Sequence, residues 1–303
     1  MKKVILVAGG TGNLGQRIIS YLLKKDAEVR AVVRAGSDSI KIKNLTNAGV
    51  KVFKVNMLNK EEVAPACIGA FCVVSALAGL GEVIIDTQKS LLDAAIASKV
   101  PRFIPSDYSL DFTKFSYGEN RNLDLRRKFH EYLDKSSISA TTIFNGAFAD
   151  MLTGRMPLIL FKKNLVLYWG NADHKMIFTT IDNTAEFTAN AALEPSTPRF
   201  LYIAGDQISA REIKAAVSEV TGNKFSLFRA GGPVLLSMII KIARIIAPAE
   251  KELYPVWQGM QYMRNMIDKR SDLTSLDNNR YAGMHWTGVK ELLFKYQTGS
   301  GGN

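Results

Sequence analysis

The residues that could do chemistry stand at the start of the chain. An apolar run, Val4-Ile5-Leu6-Val7-Ala8, leads into Gly9-Gly10-Thr11-Gly12-Asn13-Leu14-Gly15 and then into a helical pattern. In that pattern Leu14, Ile18 and Leu22 recur on one face, with Ile19 and Leu23 beside them. Two glycine spacings coincide: Gly10, Gly12 and Gly15 read G-x-G-x-x-G, while Gly9, Gly12 and Gly15 read G-x-x-G-x-x-G. The first glycine permits a tight turn, the middle one lets backbone approach a pyrophosphate, and the last lets helix pack on strand. The helix start offers unpaired N–H groups and the positive end of its dipole. Strand, glycine turn and helix in this order point to dinucleotide binding, with Gly9, Thr11, Gly12, Asn13 and Leu14 against the cofactor.

The second chemical signal is Arg34, at the end of the run Glu28–Val33. A unit built for NAD usually carries Asp or Glu about 20 residues past the glycine turn, to hold the ribose 2′-hydroxyl. A guanidinium there suits a 2′-phosphate, with bonds worth roughly 1.5–3 kcal/mol each. The residue types therefore favour NADP(H) over NAD(H), with Lys41 and Lys43 close enough in sequence to assist.

These groups need elements to hold them. Further strands are expected over Val50–Val55, Phe71–Ser75, Arg102–Pro105 and Ala140–Phe144, with helices over about Lys60–Ile68, Glu82–Ser98 and Asn122–Lys135. Strands alternating with helices at this spacing require parallel crossovers, hence an α/β, doubly wound sheet with ligands at the carboxyl ends of its strands. Those ends are the Gly9 turn, Arg34, Asn56–Met57, Ser75-Ala76-Leu77, Ser106 and Asn145–Gly146, so Asn56, Met57, Ser75, Ala76, Leu77, Ser106, Asn145 and Gly146 join the expected cofactor contacts. Ser106 and Tyr108 are candidate polar groups at the cleft.

Composition narrows the class. At 303 residues the chain can hold one large domain or two modest ones, and 47% hydrophobic residues suit a globular protein. Cys67 and Cys72 form neither a disulfide framework nor a zinc pattern, so no metal is expected and a reducing cytoplasm is the default location. The net charge is +11, but the basic residues are dispersed, and no finger, basic arm or helix-turn-helix is visible. Affinity for anionic cofactors accounts for the charge better than nucleic acid does.

Together AGGTGNLGQ, VRAVVR, SALAG, VPRFIPSDY, a basic helix and TTIFNGAFADM resemble the NmrA-like proteins, atypical short-chain dehydrogenase relatives that include the isoflavone and pinoresinol-lariciresinol reductases. The match is good over the first half and weak beyond about Asp150. The resemblance implies a Rossmann-like, NADP(H)-binding domain over 1–150 and a smaller α+β substrate domain over 151–297, interleaved in space; the glycine- and serine-rich composition of 298–303 reads as a flexible tail. Family members are either reductases of aromatic or enone substrates or non-enzymatic redox sensors. The chain departs from the family in its proton-transfer groups. The nearest match to the Tyr-x-x-x-Lys of short-chain dehydrogenases is Tyr117-Gly118-Glu119-Asn120-Arg121, with Arg in place of Lys. The helix lysine of isoflavone reductase relatives falls near Leu125 or Arg126, so that lysine is absent too. Tyr117 and Arg126 join Ser106 and Tyr108 as catalytic candidates, and Lys128 lies one turn from Leu125 on what reads as a solvated basic face.

In the second half, Leu165–Trp169 and Lys175–Phe178 flank a hairpin-like signal that ends at His174, which reads as a solvated loop residue. Asp182 reads as a helix cap, and Ser209-Ala210-Arg211-Glu212 as a capping box ended by Gly222. Val234–Ile246 is an amphipathic helix with a polar stripe of Ser237, Lys241 and Arg244, too short to span a bilayer. The expected partner is a small-molecule substrate. A homodimer or another protein partner stays open, as does the choice between an NADPH-dependent oxidoreductase of a small apolar quinone, enone or carbonyl compound and a sensor of the NADP(H) ratio.

Overall fold

The structure, a computed structural model, describes residues 2–154 and 156–299. The chain divides into two compact units, each drawn from three segments. The first unit takes Met1–Tyr108, Leu123–Phe144 and Thr184–Leu201; the second takes Ser109–Asn122, Asn145–Asn183 and Tyr202–Asn303.

The first unit is built on six parallel strands: β1 (Val4–Ala8), β2 (Glu28–Val33), β3 (Lys51–Lys54), β4 (Cys72–Ser75), β5 (Arg102–Ile104) and β6 (Ser139–Ala140). Their order is β3-β2-β1-β4-β5-β6, the doubly wound order, whose topological switch lies between β1 and β4. Crossovers run through α1 (Asn13–Lys24), α2 (Ser39–Asn47), α3 (Lys60–Cys67), α4 (Gln88–Ala97) and α5 (Arg121–Leu133). Both faces of the sheet are covered, so β1 and β4 are buried along nearly their whole length and read as continuous apolar runs. Leu6, Val32, Val73, Leu91, Leu92, Phe103 and Phe129 belong to one core cluster.

Three expectations are corrected around this unit. The helix expected from Glu82 opens with a π-helical segment, Glu82–Thr87, and becomes α-helical only over α4. The sixth strand is not continuous from Ala140 to Phe144. The Thr141 N–H donates to Phe103 O at 3.0 Å, but the Thr142 N–H donates to Arg199 O at 2.8 Å. The chain thus changes partner at one residue, and Thr142–Phe144 (β7) pairs with the strand that begins at Phe200. Helix α6 (Ile181–Leu193) is tied to β5 by Arg102, whose guanidinium donates to Ala191 O at 2.7 Å. Its cap is Thr180 rather than Asp182: the Asn183 N–H donates to Thr180 Oγ1 at 3.1 Å, while Asp182 sits in the first turn.

In the second unit the two apolar segments after residue 160 are strands, Leu165–Trp169 and Lys175–Thr179, but they do not form a hairpin. The first pairs in parallel with Ser226–Gly231, and the second pairs antiparallel with Asp206–Ser209. Gly170, at φ +70°, turns the chain away, and its N–H donates to Gly231 O at 2.7 Å. The capping box of α7 (Ala210–Thr221) is present, with Gly222 left-handed behind it. Helix α8 (Pro233–Ile246) buries only Leu236 and Ile240. Lys241 and Arg244 of the expected stripe are exposed, but so are Val234, Met238, Ile242, Ile245 and Ile246, so the exposed surface of this helix is largely apolar. Of that stripe, Arg244 packs over Trp257 of α9 (Val256–Met266). Helix α10 (Val289–Gln297) closes with the Thr298 N–H bonded to Phe294 O; residues 300–303 of the expected tail lie outside the described residues. Among the described residues no helix is long and apolar enough to cross a membrane.

Candidate active site

The parallel register brings the carboxyl ends of β1 to β5 to one edge of the sheet: Ala8 is level with Val32 and Ser75, Val33 with Lys54, and Val74 with Ile104. Gly9, Arg34, Asn56, Ala76 and Ser106 therefore leave the sheet on the same side.

The glycine turn is shaped by contacts that exclude side chains. Gly9 is at φ +80°, and a Cβ there would lie 2.6 Å from Ala76 O. A Cβ on Gly15 would lie 2.2 Å from Gly9 O, so that glycine serves the packing of α1 on the turn. At Gly12 a Cβ would meet only Gly9 O, at 3.2 Å, so this glycine keeps a path open rather than a contact close. The Gly12 N–H donates to Gly9 O at 2.9 Å and closes the turn. Helix α1 has Gly12 as its N-cap, with no side-chain cap and no acid in the first turn, whereas Asp38 and Asn59 cap α2 and α3. At the end of β4, Ser75 Oγ is buried with no hydrogen-bond partner. An uncapped helix start, a cradle that a Cβ would fill and an orphaned hydroxyl fit a bound dinucleotide.

The other expected contacts differ in exposure. Thr11 is half-buried, and its carbonyl accepts from Gln16 Nε2 at 2.9 Å and Lys41 Nζ at 3.4 Å. Lys41 thus reaches the turn, while Lys43 is exposed on α2. Asn13 is exposed and takes a 3.0 Å bond from Arg17 Nε, and Leu14 is half-buried. Arg34 is exposed just beyond β2, with no carboxylate at its position. The Asn56 carboxamide oxygen accepts from the Leu58 N–H at 3.1 Å and shapes its own turn, and Met57 belongs to the core cluster. Ala76 and Leu77 are half-buried. Asn145 and Gly146 begin a segment of the second unit, where Asn145 O accepts from Thr179 Oγ1 at 2.7 Å and a Cβ on Gly146 would lie 2.4 Å from Ile177 O.

The ends of β4 and β5 are locked together. Ser106 Oγ donates to Leu77 O at 2.6 Å, and the Ser106 N–H donates to Gln88 Oε1 at 2.9 Å. Gln88, fully buried, is anchored by its Nε2 to Ile84 O within the π-helical segment. Leu125 of α5 approaches Gly81, at the start of that segment, to 3.8 Å from where a Cβ would be.

Sequence reasoning missed the network behind Ser106. Asp107 is completely buried; its Oδ2 faces His130 Nε2 at 2.6 Å and accepts from Thr142 Oγ1 at 2.8 Å. Arg199 closes the ring, donating to Thr142 Oγ1 at 2.8 Å and reaching His130 Nδ1 at 3.0 Å. With an arginine donor at Nδ1, the histidine proton sits on Nε2 and points at the carboxylate. Burial by itself would raise the Asp107 carboxyl, but His130, Thr142 and the nearby Arg126 charge together hold it below the ordinary value. Tyr108, next in sequence, is buried, and burial pushes its hydroxyl well above the usual tyrosine range. Arg126 is half-buried on α5, and Lys128 is exposed. Tyr117, half exposed, belongs to the second unit. Thr142 Oγ1 also lies 3.3 Å from His130 Nε2, and the pairs in this network are 12 to 69 residues apart, so nothing in local spacing reveals them.

His174 is likewise not a solvated residue. Its Nε2 contacts Met266 O at 3.0 Å, and it lines a small pocket with Trp169, Met176 and Met263. Cys67 and Cys72 are buried thiols, both pushed up to about 12 by burial. Among the described residues no group of three or more His, Cys, Asp or Glu could hold a metal ion.

Comparison with known proteins agrees with this architecture. The isoflavone reductase homolog IRL of Zea mays is 30% identical over 240 residues, covering 74% of this chain and 76% of that protein. The solved structure of AtPrR2 with NADP+ and (+)pinoresinol superposes with a TM-score of 0.80 at 21% identity, covering 98% of this chain and 99% of the other. The NADPH-dependent quinone oxidoreductase QOR2 of Escherichia coli, complexed with NADPH, gives 0.76 at 17% identity over 95% and 98%. The likeness extends well past the half of the chain in which the motifs are recognisable, and a model of the NmrA-like family matches residues 1–289. The chain belongs to the NmrA-like family.

Proposed function

We propose that this protein binds NADP(H) at the carboxyl edge of the first unit and uses it to reduce a small, apolar quinone, enone or carbonyl compound. The observation that carries the reading is the uncapped start of α1 behind Gly9 and Gly12, with Arg34 standing where an NAD site would carry a carboxylate. The backbone from Gly9 to Leu14 would take the pyrophosphate, and Arg34, with Lys41 and Lys43 on the following segment, the 2′-phosphate. Ser75, Ala76, Leu77 and Ser106 would line the nicotinamide half, because the cofactor crosses the sheet at the β1/β4 switch. When bound, the nicotinamide supplies hydride; this chain's residues bind, orient and keep water out. The reductase names of the relatives support this reading over the redox sensor.

Calorimetric titration with NADPH, NADP+ and NADH tests the cofactor site, and loss of nicotinamide absorbance on adding acceptors tests turnover. NADPH binding tighter than NADH, with many NADPH oxidised per chain, is the expected result. Binding without turnover by any quinone, enone or carbonyl compound would make the protein a sensor, and no nucleotide binding would remove the reading altogether.

A further inference from the structure

We propose that the outward face of α8 docks on an anionic lipid bilayer, burying its apolar arc among the headgroups. The inference goes beyond the reductase reading and owes nothing to a bound nucleotide.

Helix α8 is apolar on two sides. With a turn of roughly 100° per residue, Leu236 and Ile240 share one side, and both are buried. Val234, Leu235, Met238, Ile242, Ile245 and Ile246 fall on an arc of about 120° on the opposite side, and all six are exposed. Val234 is 76% exposed, Ile245 81% and Ile246 77%, so packing within the chain does not account for them. Single apolar residues on a surface need no explanation, but six on one arc of one helix form a patch, and such patches mark contact sites.

Charge decides what makes the contact. Lys241 and Arg244, both exposed, follow one edge of the arc, and Arg244 is steadied over the Trp257 ring at 5.2 Å. Arg229 is exposed on the preceding strand, Ser226–Gly231. No Asp or Glu occurs in 220–249, and the next acids, Glu250 and Glu252, lie past Pro248. The chain as a whole carries +11. A second copy would meet this face with the same face across a two-fold axis, setting cations against cations. Anionic headgroups complement them instead. A single helix ridge also suits a soft apolar layer, which needs no matching shape.

An exposed apolar arc edged by basic residues is the pattern of a helix that lies in the membrane interface, sunk by roughly 5–10 Å. At 14 residues α8 is about 21 Å long, short of the ~30 Å of a hydrocarbon core, so it lies along the surface. Each Lys or Arg near an anionic surface multiplies partitioning by about five, and salt screens the gain. Under the reductase reading, a chain held there meets apolar acceptors dissolved in the bilayer.

The test floats the full chain, without nucleotide, with vesicles of phosphatidylcholine alone or with ~30% phosphatidylserine. Binding to the anionic vesicles should be at least ~10-fold tighter and fall steeply between about 0.05 and 0.5 M salt. Met238→Asp with Ile245→Asp should abolish it at an unchanged melting temperature, since both residues are exposed. Lys241→Glu should weaken it by about 10-fold or more. Ile245→Trp should still bind and shift its emission to the blue as the indole enters the interface. Equal binding to both vesicles, or anionic binding that survives in the folded double variant, would overturn the inference. A solution dimer that the double variant dissociates would give the face to a second copy and overturn it as well. No vesicle binding by the folded wild type would do the same and leave the face to an acidic protein. NADPH titration is read separately, so its failure would sink the reductase reading and leave the docking face standing.

Discussion

The two halves of the binding edge are held by different physics. Over β1 and β2 the edge is mostly backbone: a left-handed glycine, an open helix start and exposed side chains such as Asn13 and Arg34. Over β4 and β5 it is a buried side-chain network in which Asp107, His130, Thr142 and Arg199 satisfy one another. The first half is cheap to alter for folding and costly for binding. The second is the reverse, because removing one member strands the others in a dry interior.

The comparison can be broken at its strongest point. Asp107→Ala removes the acceptor shared by His130 and Thr142 and should destabilise the chain by about 3–5 kcal/mol in urea unfolding, with little loss of NADPH affinity in the folded fraction. Gly12→Val is the mirror case. A Cβ there meets a single close neighbour, Gly9 O at 3.2 Å, so the melting temperature should fall far less than for Asp107→Ala, while affinity for NADPH and NADH falls together by ~100-fold or more in calorimetry. Equal loss of stability in both variants would erase the distinction between the halves. Arg34→Glu comes next, with roughly ten-fold or greater weakening of NADPH and little change for NADH.

The acid dependence of stability sharpens the same contrast. The Asp107 carboxyl is held below its unfolded value of about 3.9, so its contribution is fully present above that pH and is lost as pH falls through the lower folded value. Urea midpoints measured from pH 5 downward should drop more steeply for the wild type than for Asp107→Asn. The smallest expected effect is at the lysines: Lys43→Ala and Lys41→Ala should each weaken NADPH by no more than a few-fold, as for exposed ion pairs of about 0.2–1 kcal/mol.

The sequence reveals the first half because its signals are local. The turn from Gly9 to Gly15 and the switch to Arg34 depend on residues within one strand–helix–strand unit, and the period of the apolar residues fixes the rest of the sheet. The second half hides for the opposite reason. Thr142 looks like one more residue in a strand, yet it is where the chain leaves β5, and its hydroxyl is recruited by an aspartate 35 residues earlier. The hairpin expected before His174 fails similarly. Gly170 and the polar residues after it do mark a turn, but each flanking strand finds its partner far along the chain. Local chemistry locates turns and caps; it does not choose partners when several apolar strands compete.

The threading of the units also bears on how the protein is made. The first unit is complete only when Thr184–Leu201 has been added, and the second already owns Ser109–Asn122. At about 5–20 residues per second, some 10–40 seconds pass before the last segment of the first unit leaves the ribosome. During that time Arg102, buried at the start of β5, has no Ala191 carbonyl to meet, and Thr142 has no Arg199. The nascent sheet must wait half-clothed, and the glycine turn, finished within the first fifteen residues, is in place long before the walls that will make it useful.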